Sequence, residues 1–381
     1  MFEIPTSASN RKTRVVVVVG TRPEAIKLAP VYRALAKVPQ LTPVLVSTGQ
    51  HTDLLRTALE VFTLKPDYEL KVMTPAQSLA TTAARILERF TLVLEELQPA
   101  AVLVQGDTTT AFAAGLAAFY AGIPVGHVEA GLRTGDLANP FPEEANRQMV
   151  ARVCQWCFAP TPQSRDNLLA ERIPAQRIHV TGNTGIDALL ESLGELQPRP
   201  SPRPIVLMTL HRRESFGEPL REILLGVLDF LHATPEARVI WPVHPNPAVM
   251  PLINEVLAQT DRVERIPPQG YRVFAELLAS SRLILTDSGG IQEEAPSLGK
   301  RVLVARDTTE RPEAVQTGQN RLIGRNRSRV AEELRRAWVE PIYAGPIPAP
   351  NPYGDGQASR RLVEILAQDL LGEPSAVTYS A

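Results

Sequence analysis

Cysteine, aromatic residues and long apolar runs are scarce in this chain of 381 residues, which has two cysteines and 5% aromatic residues. Two cysteines cannot form the disulfide framework of a small secreted protein. The longest apolar run, residues 111–125, is shorter than the roughly 20 residues that cross a bilayer, and Gly115 and Pro124 interrupt it. Residues 1–14 contain no apolar signal segment. We therefore expect a cytoplasmic protein without a membrane partner.

An excess of either charge is also missing, because 40 Lys and Arg residues stand against 41 Asp and Glu residues, for a net charge of -1. Such a chain has no general positive field that would attract a nucleic acid, so we expect no nucleic-acid partner. The length fits two or three domains, and a hydrophobic fraction of 44% is typical of globular proteins.

The first half of the chain alternates between strand and helix patterns. Valines at residues 15–19 precede Gly20, a pattern typical of a strand buried on both faces of a parallel sheet. Predicted strands are residues 14–20, 43–48, 101–105, 124–128, 157–159 and 178–181, and predicted helices are residues 25–35, 52–62, 79–97, 109–121, 143–153 and 162–169. Short connections between them predict an α/β fold with a doubly wound parallel sheet.

A proline-rich segment, residues 193–204, carries four prolines in twelve residues and predicts a linker. Predicted strands beyond it are residues 205–210, 238–242, 283–286 and 301–304, and predicted helices are residues 219–232, 247–259, 271–280 and 290–297. We therefore predict two Rossmann-like domains, residues 1–192 and 205–381, with the alternative that the last helix packs back on the first domain. The active site is expected in a cleft that both domains face.

Two common nucleotide-binding fingerprints are missing. The turn at residues 20–24 lacks the second and third glycines of G-x-G-x-x-G, and the chain has no Walker A motif, which disfavours NAD and P-loop chemistry. Arg22 and Lys27 stand at the start of the following helix and form a candidate anion site. The alternative is an ordinary surface pair.

The segment at residues 287–294, D-S-G-G-I-Q-E-E, runs from a strand into a helix. Backbone N–H groups at Ser288, Gly289 and Gly290 are placed to bind a phosphate, and Glu294 to accept hydrogen bonds from a ribose. The alternative is a tight turn without a ligand.

Three acidic residues, Asp107, Glu129 and Glu143, follow predicted strands of the first domain, where carboxylates that converge on a partly dry cleft suit proton transfer. Equally, Asp107 and Glu143 fit helix N-terminal positions. In the second domain, His211 ends a strand before Arg212 and is placed to reach a diphosphate, with a structural histidine as the alternative.

Together these segments resemble the non-hydrolysing UDP-N-acetylglucosamine 2-epimerase family from about Val15 to about Gly324. The motifs are G-T-R-P-E-A-I-K-L-A-P at 20–30, G-D-T-T-T at 106–110, G-H-V-E-A-G-L-R-T-G at 126–135, P-E-E-A-N-R at 142–147, H-R-R-E at 211–214, D-S-G-G-I-Q-E-E-A-P-S-L-G-K at 287–300 and R-D-T-T-E-R-P-E at 306–313.

The resemblance implies a glycosyltransferase-B-like pair of domains, a homodimer, and interconversion of UDP-N-acetylglucosamine (UDP-GlcNAc) and UDP-N-acetylmannosamine (UDP-ManNAc) without NAD or a metal. It implies that UDP is eliminated to leave 2-acetamidoglucal and is then added back. Asp107, Glu129 and Glu143 would transfer protons, and His211 would stabilise the departing UDP. The implied nucleotide contacts are Arg22, Lys27, Gln269, Phe274, Ser288, Gly289, Gly290, Glu294 and Arg311, with Phe274 at the uracil.

Three alternatives stay open at this point: a glycosyltransferase of the same fold, a family member that acts on a diacetamido-uronate, and a non-catalytic UDP-sugar sensor. The resemblance also bears on regulation, because some members need UDP-GlcNAc at a second site with a Q-H-x-Q segment and an Arg-Gln pair. This chain keeps Gln50 and His51 but has Asp53 and Ala76 at the two other positions. We therefore expect weak or absent activation.

Overall fold

The structure is a computed structural model, and it describes residues 13–49, 52–74, 77–194, 204–212, 215–243, 246–258, 260–340 and 350–372. Most of the predicted linker lies outside these residues, and so do Gln50, His51, Ala76 and Arg213. The chain divides into two compact units. The first unit is Met1–Glu191 with Tyr353–Ala381, and the second is Ser192–Pro352, so the second unit ends before the chain does.

The strands, in chain order, are β1 (Thr13–Val19), β2 (Leu41–Ser47), β3 (Tyr68–Glu69), β4 (Ala101–Gln105), β5 (Val125–Val128), β6 (Trp156–Ala159), β7 (Ile178–Val180), β8 (Ile205–Thr209), β9 (Arg238–Pro242), β10 (Val263–Ile266), β11 (Leu283–Thr286), β12 (Arg301–Val304) and β13 (Asn320–Leu322). The helices are α1 (Arg22–Ala36), α2 (Thr52–Val61), α3 (Leu79–Leu97), α4 (Thr109–Tyr120), α5 (Glu143–Val153), α6 (Pro162–Ala170), α7 (Thr184–Leu193), α8 (Glu218–Ala233), α9 (Met250–Val256), α10 (Tyr271–Ser280), α11 (Gly289–Glu294), α12 (Glu313–Gln316), α13 (Arg327–Val339) and α14 (Ala358–Leu371).

Each unit is built on one parallel sheet. The first sheet has seven strands in the order β3-β2-β1-β4-β5-β6-β7, and the second has six in the order β10-β9-β8-β11-β12-β13. In both sheets, the second and third strands in chain order lie on one side of the first strand, and the later strands lie on its other side. This is the doubly wound arrangement. The predicted fold class is confirmed. The five valines of β1 are at most 1% exposed, as expected for a strand covered on both faces.

The structure departs from the predicted elements where local chemistry outweighs periodicity. Helix α9 is shorter than predicted because Asn246 first makes a turn, its Oδ1 accepting from the amide of Ala248 at 3.0 Å. The helix predicted over residues 290–297 ends as α-helix at Glu294 and continues as a 3₁₀ turn that contains Pro296.

Helix α14 packs against α1 in the first unit. Asp187 on α7 accepts hydrogen bonds from the backbone amides of Ser359 at 2.7 Å and Ala358 at 3.3 Å, which satisfies donors at the start of α14. Further along this helix, Asp369 accepts from Trp156 Nε1 at 2.6 Å. The described residues contain no helix long and apolar enough to cross a membrane.

Candidate functional site

In the first unit, the switch point of the sheet lies between β1 and β4, where the order of strands reverses. Ligands of open α/β sheets bind outside the carboxyl ends of the strands at such a point. Here the β1–α1 turn and the β4–α4 turn are neighbours. A Cβ on Gly20 would lie 2.1 Å from Thr110 Oγ1 and 2.4 Å from Thr48 Oγ1. Only glycine therefore allows the end of β1 to lie this close to these two threonines.

Arg22 is the first residue of α1 and is half-buried. Two residues later, Glu24 is 1% exposed, and its carboxylate accepts hydrogen bonds from the backbone amides of Gly20 and Thr21 and from Thr108 Oγ1. Burial raises the pKa of Glu24 to about 7, against the opposing effect of these hydrogen bonds. Sequence reasoning gave Glu24 no function, although Thr21 to Glu24 has the T-x-x-E spacing of a capping box.

Asp107 follows β4 and lies two residues before α4, whose N-cap is Thr108. Its Oδ2 pairs with a guanidinium nitrogen of Arg147 at 2.5 Å, and its backbone carbonyl accepts from Asn146 Nδ2 at 2.9 Å. Both partners belong to α5. The predicted proton-transfer residue is therefore fixed through its side chain and its backbone by one helix, which sequence reasoning did not foresee.

Glu129 follows β5 and pairs with Lys27 on α1, with Glu129 Oε1 2.5 Å from Lys27 Nζ. Gln105 Nε2 donates to the other carboxylate oxygen. The backbone of Glu129 has φ 66°, a left-handed conformation that is uncommon for a residue other than glycine and is often found at functional sites. The Lys27 side chain is 12% exposed, so the alternative of a surface lysine is wrong.

Glu143 is the first residue of α5, as the helix N-terminal alternative proposed. Its Oε2 is buried and has no hydrogen-bond partner among the described residues. Asn146 and Arg147, which hold Asp107, stand three and four residues later and therefore on the same face of the helix. This places Glu143 on the face of α5 that serves Asp107.

His127 on β5 is fully buried, and its Nε2 lies 2.7 Å from the carbonyl oxygen of Gly106, the residue before Asp107. Burial lowers the pKa of His127 to about 4, because a charged imidazolium would lose its hydration. The neutral ring therefore donates to Gly106 and supports the turn that carries Asp107.

In the second unit, the switch point lies between β8 and β11. The fully buried carboxylate of Asp287 accepts from the backbone amides of His211 and Arg212 at 3.0–3.1 Å and from Ser215 Oγ at 3.1 Å. His211 Nδ1 lies 3.2 Å from Asp287 Oδ1, and the His211 side chain is 60% exposed. Burial alone would raise the pKa of Asp287, but its contacts with His211 and Arg212 together outweigh burial and lower it.

A cluster of arginines surrounds Glu310 in the same unit. Its carboxylate pairs with Arg311 at 2.5 Å, Arg306 at 2.8 Å and Arg212 at 3.0 Å. These three cations outweigh burial and lower the pKa of Glu310. Arg311, one of the predicted nucleotide contacts, also pairs with Glu293 at 2.5 Å and is largely buried. Sequence reasoning missed Glu310, whose only signal is its position inside an arginine-rich motif.

Strand β11 ends at Thr286 and helix α11 begins at Gly289, so the connection is the tight strand-to-helix turn of the alternative, although neither Gly289 nor Gly290 has a positive φ. A Cβ on Gly289 would lie 2.5 Å from the Arg311 guanidinium carbon, whereas a Cβ on Gly290 would meet only Glu294 Oε1, at 3.9 Å. The backbone of Ser288 donates to Thr286 Oγ1 at 3.0 Å. One glycine therefore makes room for an arginine, and the other leaves space above the helix start.

The two remaining predicted contacts stand at the start of α10. Gln269 precedes the helix, is half-buried, and donates from Nε2 to the carbonyl of Pro267 at 2.6 Å. Phe274 lies in the first turn of the helix and is also half-buried. The structure thus places Gln269 and Phe274 at the start of α10, Ser288, Gly289 and Gly290 at the start of α11, and Glu294 at the end of α11.

Cavity volume alone does not identify the switch points. The first unit has a cavity of 810 Å³ whose lining includes Arg56, Lys65 and Lys71, but it lies along α2 and β3 at the sheet edge. The second unit has a cavity of 260 Å³ whose lining is mainly apolar and also includes His211 and Ser215. The charged and polar contacts described above lie instead on the turns after β1, β4, β5, β8, β11 and β12.

Two parallel α/β units, each with one doubly wound sheet, define the glycosyltransferase-B-like fold class. Sucrose-phosphate synthase from Thermosynechococcus elongatus shares this fold, with a TM-score of 0.62 at 12% identity over 95% of this chain and 100% of that one. The family model for UDP-N-acetylglucosamine 2-epimerase matches residues 33–367. This chain belongs to that family and is an isomerase, which confirms the resemblance.

Relatives in this family are similar over nearly their whole length. UDP-N-acetylglucosamine 2-epimerase of Escherichia coli K12 is 48% identical over 368 residues, which is 93% of this chain and 98% of that protein. The crystal structure of UDP-GlcNAc 2-epimerase from Neisseria meningitidis bound to UDP-GlcNAc has a TM-score of 0.82 and 44% identity, over 93% of this chain and 100% of that one.

Proposed function

We propose that the protein interconverts UDP-GlcNAc and UDP-ManNAc by inverting the configuration at C2 of the sugar. The observation that carries the proposal is the set of carboxylates at the switch point of the first unit, Asp107, Glu129 and Glu143, on three different turns or helix starts. Family membership supports the same reaction, since the curated relatives are named for it and the Neisseria enzyme binds UDP-GlcNAc.

The proposed route avoids a bare carbanion at C2, whose proton is not acidic. A carboxylate removes the C2 proton while the bond between C1 and the UDP oxygen breaks, which gives 2-acetamidoglucal and UDP. In the second half, the same UDP oxygen attacks C1 and a proton is delivered to the opposite face of C2. Acid and base groups are therefore needed on two faces of the sugar, and a set of carboxylates on separate turns suits this need.

Individual contacts support distinct contributions from the three carboxylates. Glu129 is oriented by Lys27 and Gln105, and Asp107 by Arg147. Glu143 has a buried oxygen without a hydrogen-bond partner among the described residues, and a substrate group would supply that partner. We propose all three as proton-transfer residues, with no direction assigned to any one of them.

The nucleotide is proposed to bind the second unit. The diphosphate would contact the backbone at Ser288, Gly289 and Gly290, the ribose would contact Glu294, and the uracil would pack on Phe274 beside Gln269. His211, held by Asp287 at 3.2 Å, would stabilise the departing UDP, together with Arg311. Arg22 and Lys27 of the first unit are the two other proposed nucleotide contacts. The space above Gly290 supports a close approach of the diphosphate.

Incubation with UDP-GlcNAc in D₂O tests this function. We expect UDP-ManNAc to form with deuterium at C2, and we expect free UDP and 2-acetamidoglucal in small amounts after long incubation. UDP release that occurs only when a sugar acceptor is added would instead identify a glycosyltransferase. Binding of UDP-GlcNAc without any exchange at C2 would identify a sensor, and either result would overturn the proposal.

We also propose that the protein is a homodimer, as the family resemblance implies, and that its product supplies ManNAc units for a cell-surface polysaccharide. Large apolar side chains exposed on α3, α4 and α5 support an interface, with Leu92 65% and Tyr120 73% exposed. Light scattering should give twice the chain mass, and a monomer at micromolar concentration would contradict the proposal. The cytoplasmic location stays a prediction from composition.

A further inference from the structure

We propose that Glu24 is a positioning residue of this reaction: its carboxylate fixes the β4–α4 turn that carries Asp107 against the β1–α1 turn that carries Arg22. The inference rests on the proposed function, because it assigns Glu24 to the geometry of that site. It goes beyond it, because Glu24 is neither one of the three proposed proton-transfer carboxylates nor a proposed contact of the nucleotide.

The hydrogen bonds of Glu24 join two turns that are far apart in sequence. Its Oε2 accepts from the backbone amides of Gly20 at 2.8 Å and Thr21 at 2.6 Å, which belong to the β1–α1 turn. Its Oε1 accepts from Thr108 Oγ1 at 2.6 Å, which belongs to the β4–α4 turn, 84 residues away. All three bonds are short, and the Glu24 side chain is shielded from water. One side chain therefore sets the spacing of the two turns at the switch point.

Thr108 transmits this spacing to Asp107, its neighbour in the chain. The Thr108 hydroxyl oxygen also accepts from the amide of Ala111 at 3.0 Å, so the same hydroxyl caps α4 and meets Glu24. On the other side, Arg147 holds the Asp107 carboxylate at 2.5 Å. Asp107 thus stands between two anchors, and removing the Glu24 anchor loosens the Thr108 side of the turn while leaving the Asn146 and Arg147 contacts of Asp107 in place.

A capping box explains the bond from the Thr21 amide to Glu24, but it does not explain the bonds from the Gly20 amide and from Thr108 Oγ1. Burying an acidic group away from cations is unfavourable, and the raised pKa of Glu24 reports that cost. The three atoms that Glu24 contacts are donors on two separate turns, not a cation. A buried carboxylate that accepts hydrogen bonds from both turns suits a positioning residue, because such a residue must hold a reacting group to within a fraction of an ångström.

The test is a double-mutant cycle between Glu24 and Asp107. Glu24→Ala should lower kcat by roughly 10- to 100-fold, the effect of losing three buried hydrogen bonds that orient a reacting group. In the Asp107→Asn background the same change should lower kcat by less than about threefold, because the residue it positions no longer works. Glu24→Gln should restore most of kcat, since its amide oxygen still accepts from Gly20 and Thr21 and its amide nitrogen can donate to Thr108.

Thr108→Val keeps the proposal testable if Glu24→Ala does not fold, because it removes only the bond to Oε1 and the cap bond. It should reproduce the kcat loss and the coupling to Asp107, and Thr108→Ser should behave like the unmodified protein. Asn326→Ala is the matched control: it removes a helix cap in the second unit, where Asn326 Oδ1 accepts from the Arg329 amide at 3.2 Å, and it should lower Tm without changing kcat.

Two results would overturn the positioning assignment: normal turnover in Glu24→Ala, or an undiminished kcat loss in the Asp107→Asn background. Residual turnover of Asp107→Asn is measurable by deuterium exchange at C2 over long incubation. Failure of the proposed function looks different, because the unmodified protein would then show no exchange at C2 at all.

Discussion

The two units share one strand topology, but they differ in the charged groups that follow their strands. At the β1–β4 switch point, Glu129 pairs with Lys27, and Asp107 pairs with Arg147. At the β8–β11 switch point, by contrast, Glu310 gathers three arginines around one carboxylate. The parallel sheet decides where each site lies, and the residues that follow the strands decide its charge.

The pKa directions sharpen this contrast. In the first unit, burial favours neutral forms, raising the pKa of Glu24 to about 7 and lowering that of His127 to about 4. In the second unit, the bonds of His211 and the arginines outweigh burial and lower the pKa values of Asp287 and Glu310, which favours fixed charges. A region of neutral and paired groups suits proton transfer, and a region of fixed cations suits an anion such as a diphosphate.

The largest expected effect tests the first unit as the site of proton transfer. Asp107→Asn, Glu129→Gln and Glu143→Gln should each lower kcat by about 10²- to 10⁴-fold, the usual contribution of a positioned acid or base. The matched control is Asp229→Asn, which breaks an exposed pair with Arg327 in the second unit and should leave kcat within about twofold. Near-normal turnover in any one of the three variants removes that residue from the catalytic set.

A smaller effect separates the two glycines of the second unit. Gly289→Ala should displace the Arg311 guanidinium, lowering the free energy of unfolding by about 1–3 kcal/mol and weakening UDP binding. Gly290→Ala has room for its methyl group, so it should change stability by less than about 0.5 kcal/mol and still weaken UDP binding if the diphosphate lies there. Calorimetric titration with UDP and thermal unfolding distinguish the pair, and unchanged affinity in Gly290→Ala would place the diphosphate elsewhere.

Next in size is the ribose contact. Glu294→Ala should weaken UDP binding by about tenfold, the effect of losing one hydrogen bond between a charged group and the ligand, and should weaken pyrophosphate binding much less. Competition titrations with both ligands measure the difference. Equal losses for UDP and pyrophosphate would refute the ribose assignment.

Much of the fold follows from sequence because buried parallel strands carry unbroken apolar runs. Strand β4 and helices α3, α5 and α10 have the predicted bounds. Strands β3, β10 and β13 were not predicted, because they are short edge strands with little apolar sequence.

The contacts within the candidate site are harder to predict from the sequence. The motif positions of Asp107 and Glu129 are visible along the chain, but their partners Arg147 and Lys27 are 40 and 102 residues away. Glu24 looks like an ordinary capping residue until the fold brings Thr108 to it. Local patterns predict elements, whereas contacts between turns depend on the order of strands in the sheet.

The smallest expected effect concerns the pH dependence of the free energy of unfolding. In the first unit, the contributions of Glu24 and His127 to it nearly cancel. Glu24 binds its proton more tightly in the folded state, so its contribution to the free energy of unfolding is full below pH 4.5 and is lost as pH rises towards 7. His127 binds its proton more weakly in the folded state, so its contribution is full above pH 6.5 and is lost as pH falls towards 4. Between pH 6.5 and pH 4.5 the two changes are each about 2 kcal/mol and opposite in sign.

Single substitutions should expose the two opposing contributions. Relative to the unmodified protein, Glu24→Gln should lose about 2 kcal/mol of unfolding free energy between pH 6.5 and pH 4.5, because only the His127 contribution then remains. His127→Gln, which keeps a donor for the Gly106 carbonyl, should gain a similar amount over the same interval. Denaturant titrations at three pH values measure both slopes, and the acid sensitivity of Asp287 and Glu310 cancels because it is common to all three proteins. Parallel slopes in the unmodified protein and Glu24→Gln would mean that Glu24 does not titrate in this range, and the contrast between neutral groups in the first unit and fixed charges in the second would then rest on His127 alone.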